Sequence, residues 1–100
     1  MSKPKYGIPG FRELQDEAFK IHQKKNHDYA TLGDPFSNFR DFGSYGVVVR
    51  MSDKMARIKN FVKNGELDVK DESFKDTCID LANYAIIAYL LYKNEKKNGK

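Results

Sequence analysis

The sequence has little that would cross-link the chain or anchor it in a membrane. Cys78 is the only cysteine, so no disulfide can form within the chain. No apolar run reaches the roughly 18 residues that a membrane-spanning helix needs, so we expect no membrane partner. The first residues lack the apolar stretch of a secretory signal. Together with the lone thiol, this predicts a cytoplasmic protein.

The charge is also modest, with a formal net value of +4 over 100 residues. Much of the excess lies at the two ends, on the lysines at positions 3, 5, 93, 96, 97 and 100. No basic stripe interleaved with exposed aromatics is present, which argues against nucleic acid as a partner. A chain this short buries only about two-thirds of the surface that its unfolded form exposes. A metal or oligomerisation is therefore expected to stabilise it.

The apolar residues recur at helical spacing in three segments, covering residues 10–25, 44–64 and 72–94. No pair of strands is indicated, so the predicted fold is all-α, a small bundle of three main helices. Residues 1–9 contain Pro4, Gly7 and Pro9 and are predicted to form an irregular arm. Residues 95–100 form a basic tail, so residues 10–94 are the single helical domain.

The connection between the first two helices, residues 26–43, is long and rich in aromatics. Three phenylalanines, at 36, 39 and 42, expose too much apolar surface for a free loop, so we expect the segment to fold back with a short helical turn. Loops this long in small domains are often functional. Ser44 is predicted to cap the second helix, Gly65 to end it, and Asp71 to cap the third.

The predicted third helix carries Glu72, Asp76 and Asp80 within about 80° of one another, at 100° per residue. Asn83 lies on the same side, opposite a face that includes Phe74 and Cys78. The second half of this helix is apolar all round, as in buried helices. Asp80 and Asn83 are therefore expected in a largely buried setting, and the helix is expected to need an oligomer to cover it.

Two interpretations of these carboxylates remain open. In the first, they form a salt-bridged seam with the second helix, where Arg50, Asp53 and Arg57 share a face and Lys54 lies beside them. In the second, they form a nucleotide-phosphate site. Mg²⁺ takes hard oxygen ligands, which would come from Asp53, Glu72, Asp76 and Asp80. The charge of the polyphosphate would be neutralised by Arg50, Lys54 and Arg57.

Several stretches resemble one protein family, namely residues 27–29, 34–39, 46, 50–57, 71–73, 76–77 and 80–84. It is the nucleotide modification associated domain family, found largely in bacteriophages and prophages. That family is similar to the all-α nucleoside triphosphate pyrophosphatases, the MazG and dimeric dUTPase superfamily. The resemblance implies a homo-oligomeric, Mg²⁺-dependent hydrolase, with Mn²⁺ as an alternative metal, that releases pyrophosphate from a nucleotide.

Carried over by position, the resemblance implies that Asp53, Glu72 and Asp76 are the catalytic metal ligands, with Asp80 in or near that shell. Arg50 stands where the superfamily has a glutamate. The resemblance also implies that Asp28 and Tyr29 contact a phosphate or a base, while the residues alone leave open a helix-ending turn. The alternative function is a non-catalytic module, which binds a nucleotide or a host protein and holds its acids in salt bridges.

Overall fold

The computed structural model of the chain describes residues 5–29, 33–67 and 72–97. Its elements are three α-helices and a short 3₁₀ turn at Ser37–Phe39. We number the helices α1 (Phe11–Tyr29), α2 (Gly43–Asn64) and α3 (Phe74–Lys97). Within the described ranges no β-strand occurs, so the predicted all-α fold is confirmed. In the same ranges, no helix is long and apolar enough to span a bilayer.

The ends of α3 differ from those predicted. The helix begins at Phe74, not Glu72, because Ser73 caps it. The Ser73 hydroxyl accepts the backbone N–H of Asp76 at 3.0 Å, and the Asp76 carboxylate lies 3.5 Å from the N–H of Ser73. The predicted cap, Asp71, lies outside the described residues. At its other end α3 continues to Lys97, so the predicted boundary at residue 94 falls inside the helix.

The start of α2 is held by a side chain from another helix. The prediction that Ser44 is its N-cap is wrong, because α2 already begins at Gly43. The backbone N–H and hydroxyl of Ser44 instead donate to the carboxylate of Glu95, at 2.9 and 2.7 Å. An anion here satisfies a free N–H and suits the positive end of the helix dipole. At the other end, Gly65 has a φ of +83° and closes the helix as predicted.

The core lies between α2 and α3, which run antiparallel. Phe39, Val47 and Leu91 form its buried centre. The partly buried residues packed against them are Phe36, Tyr84, Ile87 and Ala88. At the opposite end of the same pair, the rings of Phe61 and Phe74 stack with centroids 4.1 Å apart. The expected return of the aromatic connection is confirmed, since the 3₁₀ turn places Phe39 in the core.

The face of α3 that packs inward differs from the predicted one. The buried or partly buried side includes Thr77, Tyr84 and Leu91, and Asp80 lies along it rather than opposite it. Tyr92 lies on the same predicted face as Phe74, since the two are 18 residues and five full turns apart, yet it is half-exposed. The reason is that α3 is apolar all round, so its composition does not select which side meets α2.

The first helix packs on another side of α3 and makes a looser contact. The Asn83 amide donates to the carbonyl of Ala18 at 3.0 Å, and Lys75 pairs with Glu17 at 2.8 Å. The radius of gyration is 15.6 Å, whereas a compact chain of this length would have about 13 Å. An open groove of about 900 Å³ lies between α1 and α3.

Candidate functional site

Lys54 lies in the middle of the buried side of α2. The other residues on that side are Val47, Met51, Ile58 and Phe61. At 100° per residue, all of them fall within about 60° of Lys54. Its side chain is only 15% exposed, whereas the apolar side chain of Val62 on the same helix is 74% exposed. A lysine tolerates this place because its methylene stem packs while the ammonium reaches polar partners.

The ammonium of Lys54 joins two carboxylates from different parts of the chain. Its Nζ lies 2.9 Å from Oε1 of Glu72 and 3.0 Å from Oδ2 of Asp80. Arg57 also contacts Glu72, and Nζ of Lys25 lies 3.0 Å from the other oxygen of Asp80. We call these five residues the ion-pair cluster. It ties all three helices to the segment that precedes α3.

The cluster keeps its carboxylates ionised although they are largely covered, with the side chains of Glu72 and Asp80 13% and 16% exposed. Burial by itself raises the pKa of Asp80, but hydrogen bonds from Lys54 and Lys25 outweigh it and hold that pKa below its ordinary value. The pKa of Glu72 is lowered by the same balance, with burial opposed mainly by Lys54. Burial lowers the pKa of Lys54, yet its two carboxylate partners raise it overall.

Three of the predicted acids lie elsewhere. Asp53 is exposed on α2, next to the residue that turns inward. Asp76 is exposed and engaged in capping α3. Asp28 lies near the end of α1, with a carboxylate oxygen 3.3 Å from Nδ1 of His27. Tyr29 is the last residue of α1, and its side chain lies outside the described part of the structure.

The described acids do not form a ligand set for a divalent cation. Across residues 5–29, 33–67 and 72–97, no three histidines, cysteines or acids are grouped closely enough to hold a metal ion. The two acids that do converge, Glu72 and Asp80, meet at an ammonium. The residues as arranged therefore do not fit Mg²⁺, and the predicted magnesium site stays a prediction.

Beside the cluster is a concave site of about 370 Å³, which we call the polar hollow. It lies where α1, the aromatic connection, α2 and α3 meet. Its lining combines cationic, amide and aromatic side chains: His22, Lys25, Asn26, Asn38, Phe39, Phe42, Arg50, Asp80, Asn83, Tyr84 and Ile87. Lys25 and Asp80 belong to both sites. Its volume lies at the lower end of the range for small-molecule sites.

Arg50 is positioned at this hollow by an aromatic ring. Its guanidinium carbon lies 5.0 Å from the centroid of the Phe42 ring. This distance is that of a cation–π contact. Among the described residues, no ion pair or hydrogen bond engages the N–H donors of Arg50, so they stay available. Gly46, one turn before Arg50, allows the arrangement, because a Cβ there would overlap the Phe42 ring.

The structure thus brings together six of the residues predicted from the sequence. Lys54, Arg57, Glu72 and Asp80 form most of the ion-pair cluster, and Arg50 and Asn83 line the polar hollow with Asp80.

Sequence reasoning did not assign Lys25 and Asn26 to the site. Helical spacing could have indicated Lys25, because Ala18, His22 and Lys25 recur at steps of four and three on one side of α1. That side faces α3, and it extends the contact made by Ala18.

A family model described as nucleotide modification associated domain 1 matches residues 25–91 of the chain. The matched range contains the whole ion-pair cluster and all of the hollow lining except His22. No curated protein and no solved structure matches the chain.

Proposed function

The chain belongs to the nucleotide modification associated domain 1 family, and from this premise we propose that it binds a nucleotide in the polar hollow. The observation that carries the proposal is that the guanidinium of Arg50 is accessible at the hollow and has no ion-pair partner among the described residues. It is exposed at the hollow and makes a cation–π contact with the Phe42 ring. Among the described residues, no carboxylate forms an ion pair with it, whereas Lys25 at the same hollow is paired with Asp80. A guanidinium with open donors suits a phosphate.

The remaining lining suits the other parts of a nucleotide. Aromatic rings of Phe42 and Tyr84 offer surfaces on which a base can stack. The amides of Asn26 and Asn38 offer both donors and acceptors, which is what hydrogen bonding to the edge of a base requires. Asn83 already donates its amide to Ala18 and keeps its carbonyl oxygen as an acceptor.

Titration calorimetry with a panel of nucleoside mono- and triphosphates tests this proposal. We expect Arg50→Met to weaken binding by about 10- to 100-fold, since hydrogen bonds to charged groups contribute about 1.5–3 kcal/mol. Lys59→Met is the matched control, because Lys59 is an exposed cation on the same helix and outside the hollow. If no nucleotide binds to the wild-type protein, or if both variants weaken binding equally, the proposal is wrong.

A second candidate is hydrolysis of a nucleoside triphosphate to the monophosphate and pyrophosphate. It is favoured by Asp80, an ionised carboxylate in the wall of the hollow. The test is incubation with dNTPs and NTPs in the presence of Mg²⁺ or Mn²⁺, followed by a pyrophosphate assay. Turnover that is lost in a folded Asp80→Asn variant would support the metal-dependent enzyme. Absence of turnover with every nucleotide would leave a binding module.

A further inference from the structure

We propose that the ammonium of Lys54 acts as a built-in cation of this site, so that ligand binding in the polar hollow does not require a divalent metal. The ligand in this inference is the nucleotide of the proposed function, so that part rests on the proposed function. The role of Lys54 is inferred from the geometry of the ion-pair cluster, and the two parts can be tested separately.

Lys54 occupies the position of a bridging cation. The Lys54 ammonium lies 2.9 Å from a Glu72 oxygen and 3.0 Å from an Asp80 oxygen. It therefore stands between two carboxylates supplied by different segments, as a bridging metal ion would. Mg²⁺ binds its oxygens at about 2.0–2.1 Å. Both carboxylates are thus spaced for an ammonium and would each have to move inward by roughly 1 Å to share a metal.

The cations of the ion-pair cluster outnumber its carboxylates. Lys25, Lys54 and Arg57 carry three positive charges against the two negative charges of Glu72 and Asp80, so the ion-pair cluster has a net charge of +1. Asp80 borders the hollow, and without a neutralising cation its carboxylate would repel a phosphate. In many phosphate sites with carboxylates, a metal ion supplies this neutralisation. Here lysines already supply it, which leaves Arg50 to attract the anion.

The side chain of Lys54 is anchored in the fold. Lys54 projects from the rigid, packed side of α2, and its side chain is 15% exposed. A surface lysine would be mobile and easily replaced by solvent, but this one is held among residues of the core. The ammonium is thus a permanent part of the site, and its positive charge does not depend on the binding of a metal ion.

The metal arm of the test uses the nucleotide-free protein. Binding of Mn²⁺ is followed by the loss of its free electron paramagnetic resonance signal, in the wild type, in Lys54→Ala and in Lys54→Ala/Asp80→Asn. We expect no stoichiometric binding to the wild type. We expect Lys54→Ala to bind Mn²⁺ at least about tenfold more tightly than the wild type, since the ammonium that separates the two carboxylates is removed, and we expect the double variant to lose this gain. Stoichiometric Mn²⁺ binding to the wild type that Asp80→Asn removes would overturn the proposal, as would a folded Lys54→Ala that binds Mn²⁺ no more tightly than the wild type.

The ligand arm uses the wild-type protein alone, so it does not depend on whether the variants fold. A nucleoside monophosphate found to bind is titrated in EDTA and in excess Mg²⁺. A monophosphate is chosen because it binds Mg²⁺ weakly by itself. We expect dissociation constants that agree within about twofold. A tenfold or greater loss of affinity in EDTA would overturn the proposal. If no nucleotide binds in either buffer, the proposed function fails while the Mn²⁺ arm still decides the role of Lys54.

Discussion

Replacing Lys54 with methionine should destabilise the fold more than any other single change of a charged residue in the ion-pair cluster. Methionine keeps the apolar stem, so the substitution removes the ammonium and little packing. Glu72 and Asp80 are then left with one cationic partner each, Arg57 and Lys25 respectively. Both carboxylates are largely buried, so their incomplete pairing is the main consequence.

The expected magnitude follows from that burial. Removing one member of a buried ion pair costs about 3–5 kcal/mol. The remaining cations reduce the loss, so we expect a decrease of about 2–3 kcal/mol in the free energy of unfolding at neutral pH. Small domains have total stabilities of about 5–15 kcal/mol, so this change is large. Lys25→Met is the control, because the side chain of Lys25 is 54% exposed and an exposed pair contributes less than about 1 kcal/mol.

Urea denaturation followed by far-ultraviolet circular dichroism measures the difference in the free energy of unfolding between the variants. The comparison holds provided that this free energy depends on the urea concentration with the same slope in each variant. The pH dependence gives a second check. The pKa values of Glu72 and Asp80 are lowered in the folded protein. The stability that these two carboxylates contribute is therefore present above their pKa values in the unfolded chain. It is lost as the pH falls through their pKa values in the folded protein. The difference in the free energy of unfolding between the wild type and Lys54→Met should accordingly decrease below about pH 4.

Two outcomes would refute this reasoning. One is a loss for Lys54→Met no larger than that for Lys25→Met, which would mean that burial does not set the strength of the cluster. The other is a difference that stays constant from pH 7 to pH 3 or below, which would mean that the carboxylates are not the partners whose charge matters. A double variant, Lys54→Met/Asp80→Asn, should recover part of the loss, because one unpaired charge is removed.

Three further predictions concern the rest of the fold. Gly43→Ala should lower the stability by more than about 1 kcal/mol, since Gly43 has a φ of +66° and an added Cβ would lie 2.7 Å from a carboxylate oxygen of Glu95; urea denaturation measures it. Glu95→Ala should cost about 1–2 kcal/mol in the same assay, because the N–H of Ser44 loses its acceptor, and an unchanged midpoint would contradict this. The groove between α1 and α3 is expected to be covered by a second copy of the chain; light scattering should show an oligomer that Ile86→Asp dissociates, and a wild-type monomer would contradict it.

The sequence by itself determined the helices and several of their ends. Periodicity predicted three helical segments, and Gly65 was identified as a C-terminal residue because a left-handed φ is encoded locally by glycine. The phenylalanines of the connection predicted a packed turn, because so much apolar surface cannot stay in water. The acids Glu72 and Asp80 and the bases Lys54 and Arg57 were also recognised as candidates for one site.

Only the tertiary structure decided which of these residues meet. The wheel of α3 could not choose an inward face, since apolar residues surround it, and so it placed Asp80 opposite the core. A lysine is counted as polar in any periodicity. Lys54 was therefore assigned beside the face of Arg50, Asp53 and Arg57, although it lies in the middle of the buried side of α2. Glu95 and Ser44 are distant in sequence, and only the antiparallel packing of α2 and α3 brings them together. Helix boundaries follow from local chemistry, whereas side-chain partners depend on how faces are matched between helices.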